Sequence, residues 1–137
     1  MSRNQQGVVI DCSFIMSVLL PDEQSERSQE VLESGRYAPA VPALWTIEVC
    51  NVLLTAVRRK RLTTETRGLL LTNLQKLDIR VHGHEPAMER IMQLAVEYDL
   101  TAYDAVYLDL SLYTGYPIAT HDKELKNAAM KAGLAIL

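Results

Sequence analysis

Apolar residues along the 137-residue chain fall in short blocks between polar breakers, and strand-like blocks alternate with helix-like ones. Val8-Val9-Ile10 is β-branched and too short for a helix, which predicts one buried parallel strand. It stops on Asp11, and Ser13 opens a helix through the apolar stretch Phe14 to Leu20. Pro21-Asp22-Glu23 then opens a second, mostly solvated helix, with Val31 and Leu32 as its apolar contacts and Gly35 as its cap. Tyr37 to Val41 is a short strand. Pro42 precedes a long helix from about Ala43 to Lys60, on which Trp45, Val49, Val52, Leu53, Ala56 and Val57 line one broad apolar face. Glu48, Asn51 and Thr55 form a narrow polar stripe on that helix. A carboxylate between Ile47 and Val49 either faces a cleft or bears a desolvation cost, so it needs a partner.

The second half continues the alternation. Thr63-Thr64-Glu65 starts a helix with Leu69, Leu70, Leu74 and Leu77 at helical spacing, and Ile79-Arg80-Val81 is a candidate edge strand. Glu85-Pro86 begins a helix carrying Met88, Ile91, Met92, Leu94, Ala95 and Tyr98. Thr101 is a good N-cap for the next helix, with Asp104 at its third position. Tyr116 to Thr120 reads as a short strand, Asp122 opens the helix Lys123 to Lys131, and Leu134 to Leu137 is a last apolar strand. The pattern predicts a single α/β domain over residues 1–137, with a mostly parallel sheet of four to five strands and helices on both faces.

Composition narrows the chemistry. With 14 basic against 17 acidic residues, net charge is -3, so no broad basic surface advertises nucleic acid. The N-terminal stretch fits neither a signal peptide nor a membrane span. Cys12 and Cys50 sit in apolar sequence without a metal-binding pattern and read as buried free thiols of a cytoplasmic protein. Neither GxGxxG nor GxxxxGK[ST] is present, and His82 and His84 alone are too little for a zinc site.

Asp11, Glu48, Asp104 and Asp122 stand out by position. In an open α/β sheet ligands bind beyond the strand carboxyl ends, at the point where the winding reverses. If the first strand and the Ile118-Ala119 strand are neighbours there, Asp11 and Asp122 face one another, and Glu48 and Asp104 close the ring from flanking helices. Such a cluster repels itself unless cations fill it, and hard oxygen ligands select Mg²⁺ or Mn²⁺. Plain capping explains Asp11, Asp104 and Asp122 one at a time. His121 and Asp99 read as exposed loop residues, and Asp109, on another face of its helix from Asp104, as a solvated or interface residue. The run Arg58-Arg59-Lys60-Arg61 reads as a solvated helix end, with a grip on RNA phosphates or an acidic partner as the functional alternative. Tyr98, Tyr103, Tyr107 and Tyr113 are candidates for interface contacts, although helical core packing explains them more simply.

The segments Val9-Ile10-Asp11-Cys12-Ser13, Glu48-Val49-Cys50-Asn51-Val52-Leu53, Tyr103-Asp104-Ala105-Val106-Tyr107-Leu108 and Thr120-His121-Asp122-Lys123-Glu124-Leu125 resemble, in order, the signatures of PIN-domain nucleases, particularly the VapC-type toxin ribonucleases. The resemblance implies a Mg²⁺- or Mn²⁺-dependent endoribonuclease with Asp11, Glu48, Asp104 and Asp122 as its acidic site. It also implies that Ser13 and Thr120 support metal or phosphate, that Asn51 helps shape the pocket, and that the chain is a homodimeric toxin silenced by an antitoxin. A PIN nuclease of RNA maturation without an antitoxin, and a non-catalytic α/β binding module, are the alternatives.

Overall fold

The computed structural model describes residues 4–23 and 25–137. Four parallel strands form the sheet: β1 (Gln6–Ile10), β2 (Tyr37–Val41), β3 (Arg80–Val81) and β4 (Ile118–Ala119), in the order β3-β2-β1-β4. Val8, Val9 and Ile10 are each 0% exposed, and successive strand residues point to opposite faces, so both faces of β1 are covered. That is why the run is continuous rather than alternating. The chain winds from β1 out to β2 and β3, then returns to place β4 on the other side of β1. The reversal lies between β1 and β4, beside the end of the opening strand.

The helices are α1 (Cys12–Leu19), α2 (Glu26–Glu33), α3 (Leu44–Arg58), α4 (Thr64–Lys76), α5 (Met88–Tyr98), α6 (Ala102–Thr114) and α7 (Lys123–Lys131). Trp45, Val49, Leu53 and Ala56 of α3 enter the core, while Tyr107, Leu108 and Leu110 bury the inner face of α6. Gly7 lies under the Tyr116 ring, and a Cβ there would stand 2.4 Å from it, so only glycine lets β1 and the residues leading into β4 close up.

Several expectations are corrected. Pro21–Glu23 is a separate 3₁₀ turn, and α2 starts at Glu26 because the Ser25 side chain accepts from Ser28 N and caps it. The predicted last strand is a single parallel bridge, Ile118 to Ile136. Cys50 is exposed and Cys12 half-buried, since apolar neighbours in sequence do not decide which side of a helix a residue occupies. Leu69 is 65% exposed, and α4 buries Leu74 alone, with Leu70 and Leu77 half-buried. Asp109 is not solvated but 5% exposed: His84 Nε2 lies 2.7 Å and Arg90 Nε 3.3 Å from its carboxylate. Tyr113 stacks on His84 at 3.7 Å between ring centroids, so this cluster fastens the β3–α5 connection to α6.

Candidate functional site

The chain beyond β1 turns at once into α1, and Asp11 caps that helix by accepting from Phe14 N at 3.0 Å. The same carboxylate accepts from the Ser13 hydroxyl at 2.8 Å and from the Thr120 hydroxyl, just beyond β4, at 2.5 Å. Both hydroxyls thus spend their single proton on Asp11, and each turns a lone pair outward: Ser13 Oγ accepts from His121 N and Thr120 Oγ1 from Asp122 N. Burial outweighs these three donors, and the nearby Asp122 adds to it, so the Asp11 carboxyl is held above the usual carboxylate range.

Asp122 caps α7 through Leu125 N at 2.9 Å, and the Asp104 N–H is taken by the Thr101 hydroxyl at 3.1 Å. The capping roles foreseen for Asp11 and Asp122 are therefore real and fix where those carboxylates stand, whereas at α6 it is Thr101 that caps, through the Asp104 N–H. Glu48 finds the partner its apolar helix demanded in Tyr107 of α6, whose hydroxyl donates to Oε1 at 2.5 Å. Burial still raises the Glu48 carboxyl, Asp11 raises it further, and the Tyr107 donor offsets part of this. Burial and the bond to Glu48 push the Tyr107 phenol up in turn, so it remains a donor.

Asp104 joins the four. Burial pushes it up to about 6, followed by the charges of Asp122, Asp11 and Glu48 and then of Glu124 in the first turn of α7. Every charge acting on it is a carboxylate. The four acids therefore share one field at the winding reversal and offer it hard oxygen donors. Among the described residues, however, no three of His, Cys, Asp or Glu stand close enough to form a ready metal cage. Asp11 has both oxygens tied to its own donors, and Asp122 is turned to its cap.

A cleft of about 790 Å³ opens beside this cluster, lined by Ser13, Glu48, Asn51 and Tyr103 with apolar walls that include Met16 and Leu44. Burial, Glu48 and Asp11 push the Cys12 thiol on its rim up to about 12, which keeps it protonated and unreactive. The basic run is not uniform: Arg61 is taken by Asp22 at 2.8 Å and Glu23 at 3.1 Å, while Arg58, Arg59 and Lys60 are exposed. His121 is exposed in the loop before α7, as expected, yet it is held there: its ring stacks on Phe14 and its Nε2 lies 2.8 Å from Ser28 Oγ. Sequence reasoning gave no site role to Tyr107 or Glu124, although both lie inside the quoted motifs.

A PIN-domain family model matches residues 8–131. Ribonuclease VapC3 of Pyrobaculum aerophilum is 27% identical over 120 residues, covering 86% of this chain and 91% of that protein. The crystal structure of PAE2754 from Pyrobaculum aerophilum is similar with a TM-score of 0.71 at 20% identity, over 92% of this chain and 83% of that one. A toxin–antitoxin complex from Klebsiella pneumoniae gives 0.59 at 16% identity, over 84% and 86%. The two structures agree with this chain in fold, and no helix among the described residues is long and apolar enough to cross a membrane. The family match runs from before Asp11 to beyond Asp122 and takes in all four acids: the chain belongs to the PIN-domain family.

Proposed function

We propose that this protein is a Mg²⁺- or Mn²⁺-dependent endoribonuclease of the VapC type, the toxin of a toxin–antitoxin pair, which hydrolyses RNA at the Asp11, Glu48, Asp104 and Asp122 cluster. The observation that carries the reading is the geometry at the winding reversal, where β4 lies beside β1 and Thr120, two residues before Asp122, bonds to Asp11 across the crevice; the charges of Asp122, Asp11 and Glu48 all bear on Asp104 there. Carboxylates that repel one another at a strand-end crevice are a site built for cations. The similarity to Ribonuclease VapC3 supports RNA as the substrate, and likeness to a chain of a toxin–antitoxin complex supports an antitoxin partner.

Asp11, Asp104 and Asp122, with Glu48, would hold the ions. Paired ions at such a site supply an activated water and positive charge at the leaving oxygen. The remaining work falls to the chain. Ser13 and Thr120 hold the Asp11 carboxylate in one orientation, and Tyr107 keeps Glu48 aimed from α3 toward the cluster. Arg58, Arg59 and Lys60 would meet RNA phosphates or an acidic segment of the antitoxin. Homodimer formation and a cytoplasmic location follow from the same family reading.

The reading is tested by the ends of the products. Hydrolysis by water leaves 5′-phosphate and 3′-hydroxyl termini and stops with chelator. Products ending in a 2′,3′-cyclic phosphate that form in chelator would assign any cleavage to another chemistry.

A further inference from the structure

We propose that the cleft beside the acids is a nucleobase pocket, in which Tyr103 stacks one unpaired base next to the cut phosphodiester and Asn51 reads its edge. The inference rests on the nuclease reading above and names the residues that choose the cut site. Tyr103 is 64% exposed although it follows Ala102 in the first turn of α6 and directly precedes Asp104. Tyr103 lines the cleft together with the apolar residues Met16, Leu44, Ile47 and Val52. An aromatic ring left in solvent one residue from a site acid is poorly placed for the core and well placed for a ligand with a π face.

Three features select the occupant. The cleft is continuous with the site, since Ser13, bonded to Asp11, and Glu48, bonded to Tyr107, both line it. Its two carboxylates, Glu23 and Glu48, repel a phosphate or an acidic peptide, and each already has a partner, Arg61 and Tyr107, which leaves the lining to a neutral group. Its polar lining includes the Asn51 amide, a donor and an acceptor side by side, and the Ser13 hydroxyl. Ser13 is already bonded to Asp11 and His121, but an aliphatic side chain would leave the Asn51 amide unpaired, whereas a base edge satisfies it. The volume of about 790 Å³ lies within the ~300–1,000 Å³ typical of clefts that take small molecules, ample for one nucleoside. The backbone of the RNA would then lie over the acids while the base turns into the cleft, which a paired base cannot do.

The test uses the full chain with short RNAs that carry each base in turn beside the cut, and the fluorescent base 2-aminopurine as a stacking probe. Tyr103→Ala is expected to lower kcat/KM by about 10- to 100-fold, the worth of one stacked base, chiefly through KM. Tyr103→Phe, which keeps the ring, recovers most of it, and Asn51→Ala flattens the preference among bases. Annealing a complementary strand across the cut protects the RNA. Cleavage by Tyr103→Ala within twofold of the parent, or equal cutting of single and double strands, overturns the proposal and leaves the apolar wall to a protein side chain. The probe separates this failure from that of the nuclease reading. Quenching by the parent but not by Tyr103→Ala, with no cut in either metal, keeps the base pocket and removes the nuclease; metal-dependent cutting that ignores Tyr103 does the reverse.

Discussion

Asp104 holds its proton to about pH 6 because it is buried among other acids, whereas an unfolded chain gives the proton up near 3.8. The stability this confers is complete below the unfolded value and is lost as pH rises through about 6. The metal-free protein should therefore be strained at neutral pH. Asp104→Asn removes the repulsion and should stabilise the fold by about 1–2 kcal/mol at pH 7.5, after discounting for solvent screening, with little effect at pH 3.5. Thermal melts at the two pH values check this, and a variant less stable than the parent at pH 7.5 would contradict it. Mn²⁺ added to the parent should raise its melting temperature at pH 7.5 and lose that effect as pH falls below about 6, where Asp104 protonates. Tyr107 offers a second test. Tyr107→Phe removes the donor that lowers the Glu48 pKa, so the acid limb of kcat/KM should move to higher pH. An unmoved limb would show that Glu48 does not titrate in the reaction.

At the scale of elements, two connections hold the site's frame. Gly7→Ala would drive a methyl group into the Tyr116 ring and should cost about 1–3 kcal/mol through loss of the close approach between β1 and the lead into β4. Adding Tyr116→Ala should relieve most of the clash, and a double-mutant cycle measures the relief. Asp109→Ala strips His84 and Arg90 of their shared acceptor and should cost a comparable amount. What the sequence made legible follows this division. A residue's role shows when its neighbours in the chain decide it: the β-branched run ending on Asp11, and Thr101 and Asp122 before helices, are local facts, and the structure has each where the pattern put it. A role decided by a distant neighbour does not show. Tyr107 is 59 positions from Glu48, and His84 is 25 from Asp109, so both pairings depended on how α3, α5 and α6 pack. Cys50 failed for the same reason, since its apolar neighbours left the helix side undecided.

Across the whole molecule the strand order concentrates charge. By returning to the far side of β1, the chain brings Asp11 and Asp122, 111 residues apart in sequence, to the two lips of one crevice, and Thr120 bonds to Asp11 across it. Reversal at β1 was legible as a condition, in that an acid after each of two strands matters only if those strands pair. Whether they pair is a property of topology, and it is what the structure supplies. The central claim is that this crevice cuts RNA with metal, and its most direct test compares purified wild type with Asp11→Asn on a mixed set of structured RNAs. The two are assayed in Mg²⁺ or Mn²⁺, and wild type also in chelator. The account predicts internal cuts by wild type with either ion, none in chelator and at least a hundredfold fewer with Asp11→Asn. Equal cutting by the variant, or no cutting of any RNA by partner-free wild type, would contradict it.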